Sequence, residues 1–195
     1  MAVDPSMLPT VVTRMRGDWA VGVDSLGKLC ECLEEYHFPK RYQLVKAQTR
    51  CRHAYFVEKG LTRSFWLVDG EEITTSFSTE GGIVFSMDEL YYDRQSEEFV
   101  ETMEPVKTFR ISIENLRHLM ATDIDISNWG RIIHQNEYRR LHRSHKERLT
   151  LSARQRYEEF CSQFPQVIRR ANLAYIASYL GITPATLSRL RNKKR

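Results

Sequence analysis

The run Ala171 to Arg191, ANLAYIASYLGITPATLSRLR, constrains this chain more than any other stretch. Leu173, Ile176, Ala177 and Leu180 recur at helical spacing and form one apolar stripe. Gly181 stops that helix, because glycine takes a left-handed backbone without strain. Thr183 can cap a second helix through its hydroxyl, and Pro184 stands at the first helical position, where no amide hydrogen is needed. Leu187 and Leu190 turn back inward, which leaves Ser188, Arg189 and Arg191 outward beside Lys193, Lys194 and Arg195. The small Ala177 lies where two helices must approach closely, and Leu187 lies where the second must plug into the first. This is the spacing of a helix-turn-helix, whose second helix lies in a DNA major groove. An ordinary pair of small core helices is the competing reading.

Charge separates the two readings. Residues 1–120 carry 14 Lys and Arg against 19 Asp and Glu, a net of −5, whereas residues 121–195 carry 15 against 6, a net of +9. Residues 149–195 alone carry 9 against 2. An acidic front and a basic back suit a chain whose back half meets a polyanion. No stretch is apolar enough for a membrane span, and MAVDPSMLPTVV lacks a basic segment followed by an apolar core, so the expected location is the cytosol. Cys30, Cys32, Cys51 and Cys161 form no zinc pattern and are expected to be free thiols.

The front half reads as short strands. Asp24 or Ser25 can cap a helix through Leu26, Leu29, Cys30 and Leu33 that ends before Pro39. Strands follow at 43–47, 54–58, 61–68, 72–77, 83–85, 99–103 and 106–112, with a hairpin turn at Asp69-Gly70 and a break at Gly81-Gly82. Seven or so strands at even spacing predict an antiparallel jelly roll able to close around a small ligand. Residues 114–121 start a helical turn, and Asp125 to His145 is the longest helix. Its apolar positions Ile126, Trp129, Ile132, Ile133 and Leu141 make a stripe with charged flanks, which predicts a dimer seam. The alternative is that the stripe packs on the chain's own barrel. His142 and His145 share a helical face without a carboxylate or cysteine to complete a site, so no metal is expected. A helix over 152–164 is closed by Pro165. The fold class is therefore α+β, divided as a barrel over 1–121, a linking dimer helix over 122–148 and a helix-turn-helix unit over 149–195.

This order of parts resembles the Crp/Fnr family of bacterial transcription regulators. The residues that carry the resemblance are AYFVEKGLTRSFW in the barrel, then SARQRYEEF and LAYIASYLGITPATLSRLR. The ending Y-x-x-x-x-L-G-I-T-P-x-T-L-S-R is similar to the Bacteroides-type branch. The resemblance implies a cyclic-nucleotide-binding-like barrel, a winged helix-turn-helix, and a homodimer on a palindromic operator in double-stranded DNA. It also implies that RNA polymerase is recruited or blocked, and that no catalysis occurs. By matching position, Thr183, Thr186, Ser188 and Arg189 face the DNA, with Arg189 suited to a guanine edge. Pro184 and Ala185 stand where better-known members carry a charged base-reading pair, so their operator cannot be carried over.

The effector site departs from the family. Its cyclic-nucleotide binders carry Gly-Glu and, further along, Arg-Ser or Arg-Thr. The matching positions here are Phe85-Ser86 and Gln95-Ser96, with Arg94 one place off. A cyclic phosphate without that arginine loses a charge-assisted bidentate contact, and Glu97 and Glu98 would repel it further. The expectation is a degenerate pocket that does not take cyclic AMP, with no cofactor and an unidentified effector. A cyclic-nucleotide-responsive regulator is the first alternative. A cupin-type enzyme is the second, although His37 and His53 lack the paired histidine spacing such a metal site needs.

Overall fold

The computed structural model describes residues 3–192, so Lys193, Lys194 and Arg195 lie outside the described residues. A 3-10 turn at Pro5–Met7 precedes α1 (Pro9–Asp18) and α2 (Val23–Glu31). The strands are β1 (Glu34–Phe38), β2 (Gln43–Val45), β3 (His53–Lys59), β4 (Thr62–Val68), β5 (Glu71–Ser78) and β6 (Ile83–Val84), and after α3 (Met87–Tyr92) come β7 (Phe99–Thr102) and β8 (Val106–Ser112). The helices α4 (Ile113–Thr122), α5 (Ile124–Thr150), α6 (Ala153–Gln163), α7 (Pro165–Arg170), α8 (Leu173–Leu180) and α9 (Pro184–Asn192) complete the chain.

The strands pair antiparallel in two four-stranded sheets, ordered β1-β8-β3-β6 and β2-β7-β4-β5. This is the expected jelly roll. Strand β3 is buried on both faces, and its period of two divides the labour. Tyr55 and Val57 join Leu44, Val45, Val84 and Val100 between the sheets. Ala54 and Phe56 face the other way, onto Leu8, Val11 and Met15 of the N-terminal segment, Leu26 and Leu29 of α2, and Leu116 of α4. The β4–β5 turn puts Asp69 at φ 51° and Gly70 at φ 83°, which suits the twist of a two-residue hairpin.

Several elements differ from the sequence reading, each for a physical reason. Helix α2 ends at Glu31, and the next residues form β1, which pairs along β8 from Glu34↔Arg110 to Phe38↔Val106. Helix α1 lacks a side-chain cap of its own. Instead Glu58 of β3 accepts from the Thr10 and Val11 amides at 3.0–3.1 Å, placing a carboxylate at the positive end of the helix. Helix α6 ends at Gln163, just before Pro165 as expected, and Pro165 also begins the short α7, since its missing amide hydrogen is no loss at a first helical turn. Helix α5 runs to Thr150, past the boundary expected at 148. No strand follows Ser152 among the described residues, so the wing implied by the resemblance is not formed there.

The C-terminal unit packs directly on the barrel. Ile176, Ala177, Tyr179, Leu180 and Leu187 share one buried cluster with Tyr157, Phe160 and Val167, and Leu61 and Met103 from the barrel complete it. Arg170 pairs with Glu80 at 2.8 Å and with Glu104. Burial works to raise the Glu80 carboxyl, but Arg170 and the Gly60 amide outweigh it and hold it down to about 2. Unfolded, this group titrates near its ordinary 4.5. The stability it contributes is therefore complete above that pH and is lost as pH falls toward 2. Melting temperatures taken through this range are expected to fall less steeply for Glu80→Gln than for the parent chain. Identical acid limbs would remove Glu80 from the account.

Candidate nucleic-acid interface and barrel pocket

The turn between α8 and α9 forms as its residues dictate. Gly181 sits at φ 64°, ψ 40°, its amide donates to the Ser178 carbonyl at 3.0 Å, and the Ile182 amide donates to the Ala177 carbonyl at 3.0 Å. The Thr183 hydroxyl then accepts from the Thr186 amide at 3.2 Å and caps α9. Leu187 is wholly buried and Leu190 half-buried, which fixes the rotation of α9 about its axis.

With that rotation fixed, Thr183, Pro184, Ala185, Ser188, Arg189 and Arg191 are exposed and Thr186 is half-buried. The Thr183 and Thr186 hydroxyls lie 3.0 Å apart, and Arg189 Nη2 donates to Thr186 Oγ1 at 3.3 Å. Residues 183, 186 and 189 thus form one line along the outer face, and the hydroxyls hold the guanidinium against it. This face offers hydroxyls and guanidinium groups with no carboxylate in the first turn of α9. Those are the groups that contact phosphates and guanine edges. Of the residues expected to face DNA, Lys193 and Lys194 lie outside the described residues.

The five residues expected at the effector pocket are distributed differently. Phe85 packs against the core cluster, its ring 6.1 Å from that of His134. Ser86 is buried and caps α3 by accepting from the Glu89 amide at 3.2 Å. Ser96 is buried, donates to the Glu98 carbonyl at 2.9 Å and accepts from the Glu98 amide at 3.1 Å. Arg94 and Gln95 are exposed. The serine hydroxyls are committed to local backbone.

The barrel instead turns a carboxylate inward. Glu98 accepts from the Thr75 hydroxyl, and Glu137 and Arg140 of α5 lie near enough to influence it. Burial pushes the Glu98 carboxyl above the usual carboxylate range, against the Thr75 hydrogen bond. Arg140 pairs with Glu137 and donates to the Tyr179 hydroxyl at 3.2 Å. The sequence marks Glu98 only as a repulsive neighbour; Glu137 and Arg140 share an i,i+3 helical spacing, but no spacing connects them to Thr75 or Glu98.

The stripe on α5 divides in the same way. Ile126 and Trp129 are buried in the chain's own core, where Trp129 stacks on Phe56 with ring centroids 5.7 Å apart, so they are not free for a partner. Ile133 packs partly on that core and Ile132 is half-buried. Leu141 is 51% exposed, and Tyr138 and Leu149, outside the expected stripe, are 70% and 72% exposed.

No family model matches this chain, and no curated protein does. Solved structures do. The c-di-GMP responsive global regulator CLP from Xanthomonas campestris matches with a TM-score of 0.70 at 16% identity, over 88% of this chain and 91% of that one. FixK2 from Bradyrhizobium japonicum matches with a TM-score of 0.69 at 17% identity, over 83% of each chain. A protein described as a transcriptional regulator of the crp/fnr family, from Eubacterium rectale, matches with a TM-score of 0.70 at 15% identity, over 89% of this chain and 83% of that one. The fold is shared with these regulators. Barrel, long helix and terminal helix-turn-helix stand in the order the resemblance implied, and at these identities the likeness is one of fold.

Proposed function

We propose that this chain is a homodimeric DNA-binding transcription regulator of the Crp/Fnr type, with an ending of the Bacteroides-type branch and no enzymatic activity. The observation that carries this reading is the outer face of α9, where Arg189, Arg191, Thr183 and Ser188 are exposed while Leu187 anchors the helix from behind. The regulators that share the fold support it. Two copies would meet along α5 beyond the residues its own barrel takes, with Leu141 and Tyr138 as the exposed apolar positions. A two-fold pair of reading helices then meets two half-sites about 34 Å apart, one turn of the duplex. The work is done in the cytoplasm, where RNA polymerase is the machinery such a protein recruits or blocks.

The barrel site does not suit a cyclic phosphate in this reading. Ser96 is committed to Glu98, Arg94 is exposed, and Glu98 sets a carboxylate where an anion would have to enter. A cyclic-nucleotide-responsive regulator therefore takes second place, and titration calorimetry with cyclic AMP and cyclic GMP separates the two. Binding heat from either would overturn the degenerate pocket.

The DNA-binding reading is tested by fluorescence anisotropy on a labelled duplex across a salt series. The logarithm of the association constant should fall linearly with the logarithm of salt, by about 0.9 for each phosphate neutralised. Binding that ignores salt, or no binding at low salt, would sink it.

A further inference from the structure

The register of β4 and β5 shifts at one place. Ser64 pairs with Ser76 and Phe65 with Thr74, so Thr75 is the extra residue of a β-bulge. At the bulge two neighbouring residues bond to different parts of the molecule. Thr75 gives its hydroxyl to Glu98 on the barrel side. The Thr74 amide donates to Ser178 Oγ of α8 at 2.9 Å, and that hydroxyl donates onward to the Glu72 carbonyl at 3.0 Å.

A second set of contacts braces the same junction between the sheet and α8. Phe99, next to Glu98, stacks on Phe65 with ring centroids 5.1 Å apart and planes 11° apart. The guanidinium of Arg63 lies 4.2 Å from the Phe65 ring centroid and 3.6 Å from that of Tyr175 in α8. Arg63 is wholly buried and pairs with Glu101 at 2.9 Å and with Glu72. Its Nε and Nη1 have no hydrogen-bond acceptor among the described residues. A buried cation with unfilled donors adds little net stability compared with an apolar contact, but it is strict about the arrangement it accepts.

We propose that Arg63 and Ser178 are positioning residues for DNA reading, and that the state of Glu98 inside the barrel reaches α8 through them. This rests on the DNA-binding reading for its consequence but not for its mechanism. The bulge and the aromatic stack carry a change at Glu98 across the sheet to the first helix of the reading pair. Arg140 offers a rival route along α5, because it touches Tyr179 and lies near Glu98.

Double-mutant cycles on the full chain decide between the routes. The readouts are amide hydrogen exchange across α8 and the dissociation constant for a DNA duplex. Glu98→Gln keeps the side chain's shape and removes its charge. It is expected to change α8 exchange and DNA affinity by about threefold or more. That response should vanish in Ser178→Ala and in Arg63→Met, and survive in Arg140→Met. If Arg63→Met fails to fold, Ser178→Ala decides alone. An unchanged α8 in Glu98→Gln, a response that persists in Ser178→Ala, or one lost only in Arg140→Met would overturn the proposal. Should the parent chain bind no DNA, the exchange cycle still tests the coupling, and the failure belongs to the proposed function.

Discussion

Leu187→Ala is expected to destabilise the folded chain by about 2–5 kcal/mol, the cost of removing buried methyl groups and leaving a cavity. Leu187 is wholly buried, in a cluster where α6, α7, α8 and α9 meet Leu61 and Met103 of the barrel. A helix of nine residues anchored by one fully buried side chain cannot close around the gap. A folded chain of this kind is held by only about 5–15 kcal/mol, so the loss is a large share. Urea unfolding followed by far-UV circular dichroism measures it directly. Leu190→Ala, which truncates a half-buried side chain on the same helix, should cost clearly less. Equal midpoints for the two variants would mean that α9 is not seated as described.

Arg189→Ala is expected to weaken DNA binding by about 1–3 kcal/mol for each half-site, the range for a bidentate arginine contact to guanine. The side chain is exposed and donates a hydrogen bond to Thr186 on its own helix, so folding should be unaffected. In a symmetric dimer both half-sites lose the contact, which roughly doubles the effect on the complex. Arg189→Lys should recover part of the affinity for any duplex but little of the sequence preference, because an ammonium lacks the planar fork of a guanidinium. Equal affinities for the parent and Arg189→Ala would remove Arg189 from the reading face.

Local chemistry made the C-terminal end legible. A left-handed glycine, a hydroxyl cap and a proline at the first helical position each act within a few residues, and the structure has Gly181, Thr183 and Pro184 in those places. The barrel strands were legible through their alternation and the Asp69-Gly70 turn. Helix α3 could have been found, since Ser86 and Glu89 have the spacing of an N-terminal cap. Other features depend on partners far along the chain. Helix α1 starts where Glu58 meets it, 47–48 residues on, and β1 is a charged strand set by its register with β8. The site shows the same division. The reading face followed from helical spacing, whereas the links from Thr75 to Glu98 and from Arg63 to Tyr175 exist only once the sheet has closed.

In the proposed dimer, two copies of α9 read paired half-sites in DNA. Selection of bound duplexes from a randomised pool by the purified chain tests it most directly. The expected result is an enriched inverted repeat with half-site centres about one helical turn apart, lost when Arg189 is replaced by alanine. A pool that stays random while the protein remains folded, or a single unpaired site unaffected by Arg189→Ala, would contradict the account.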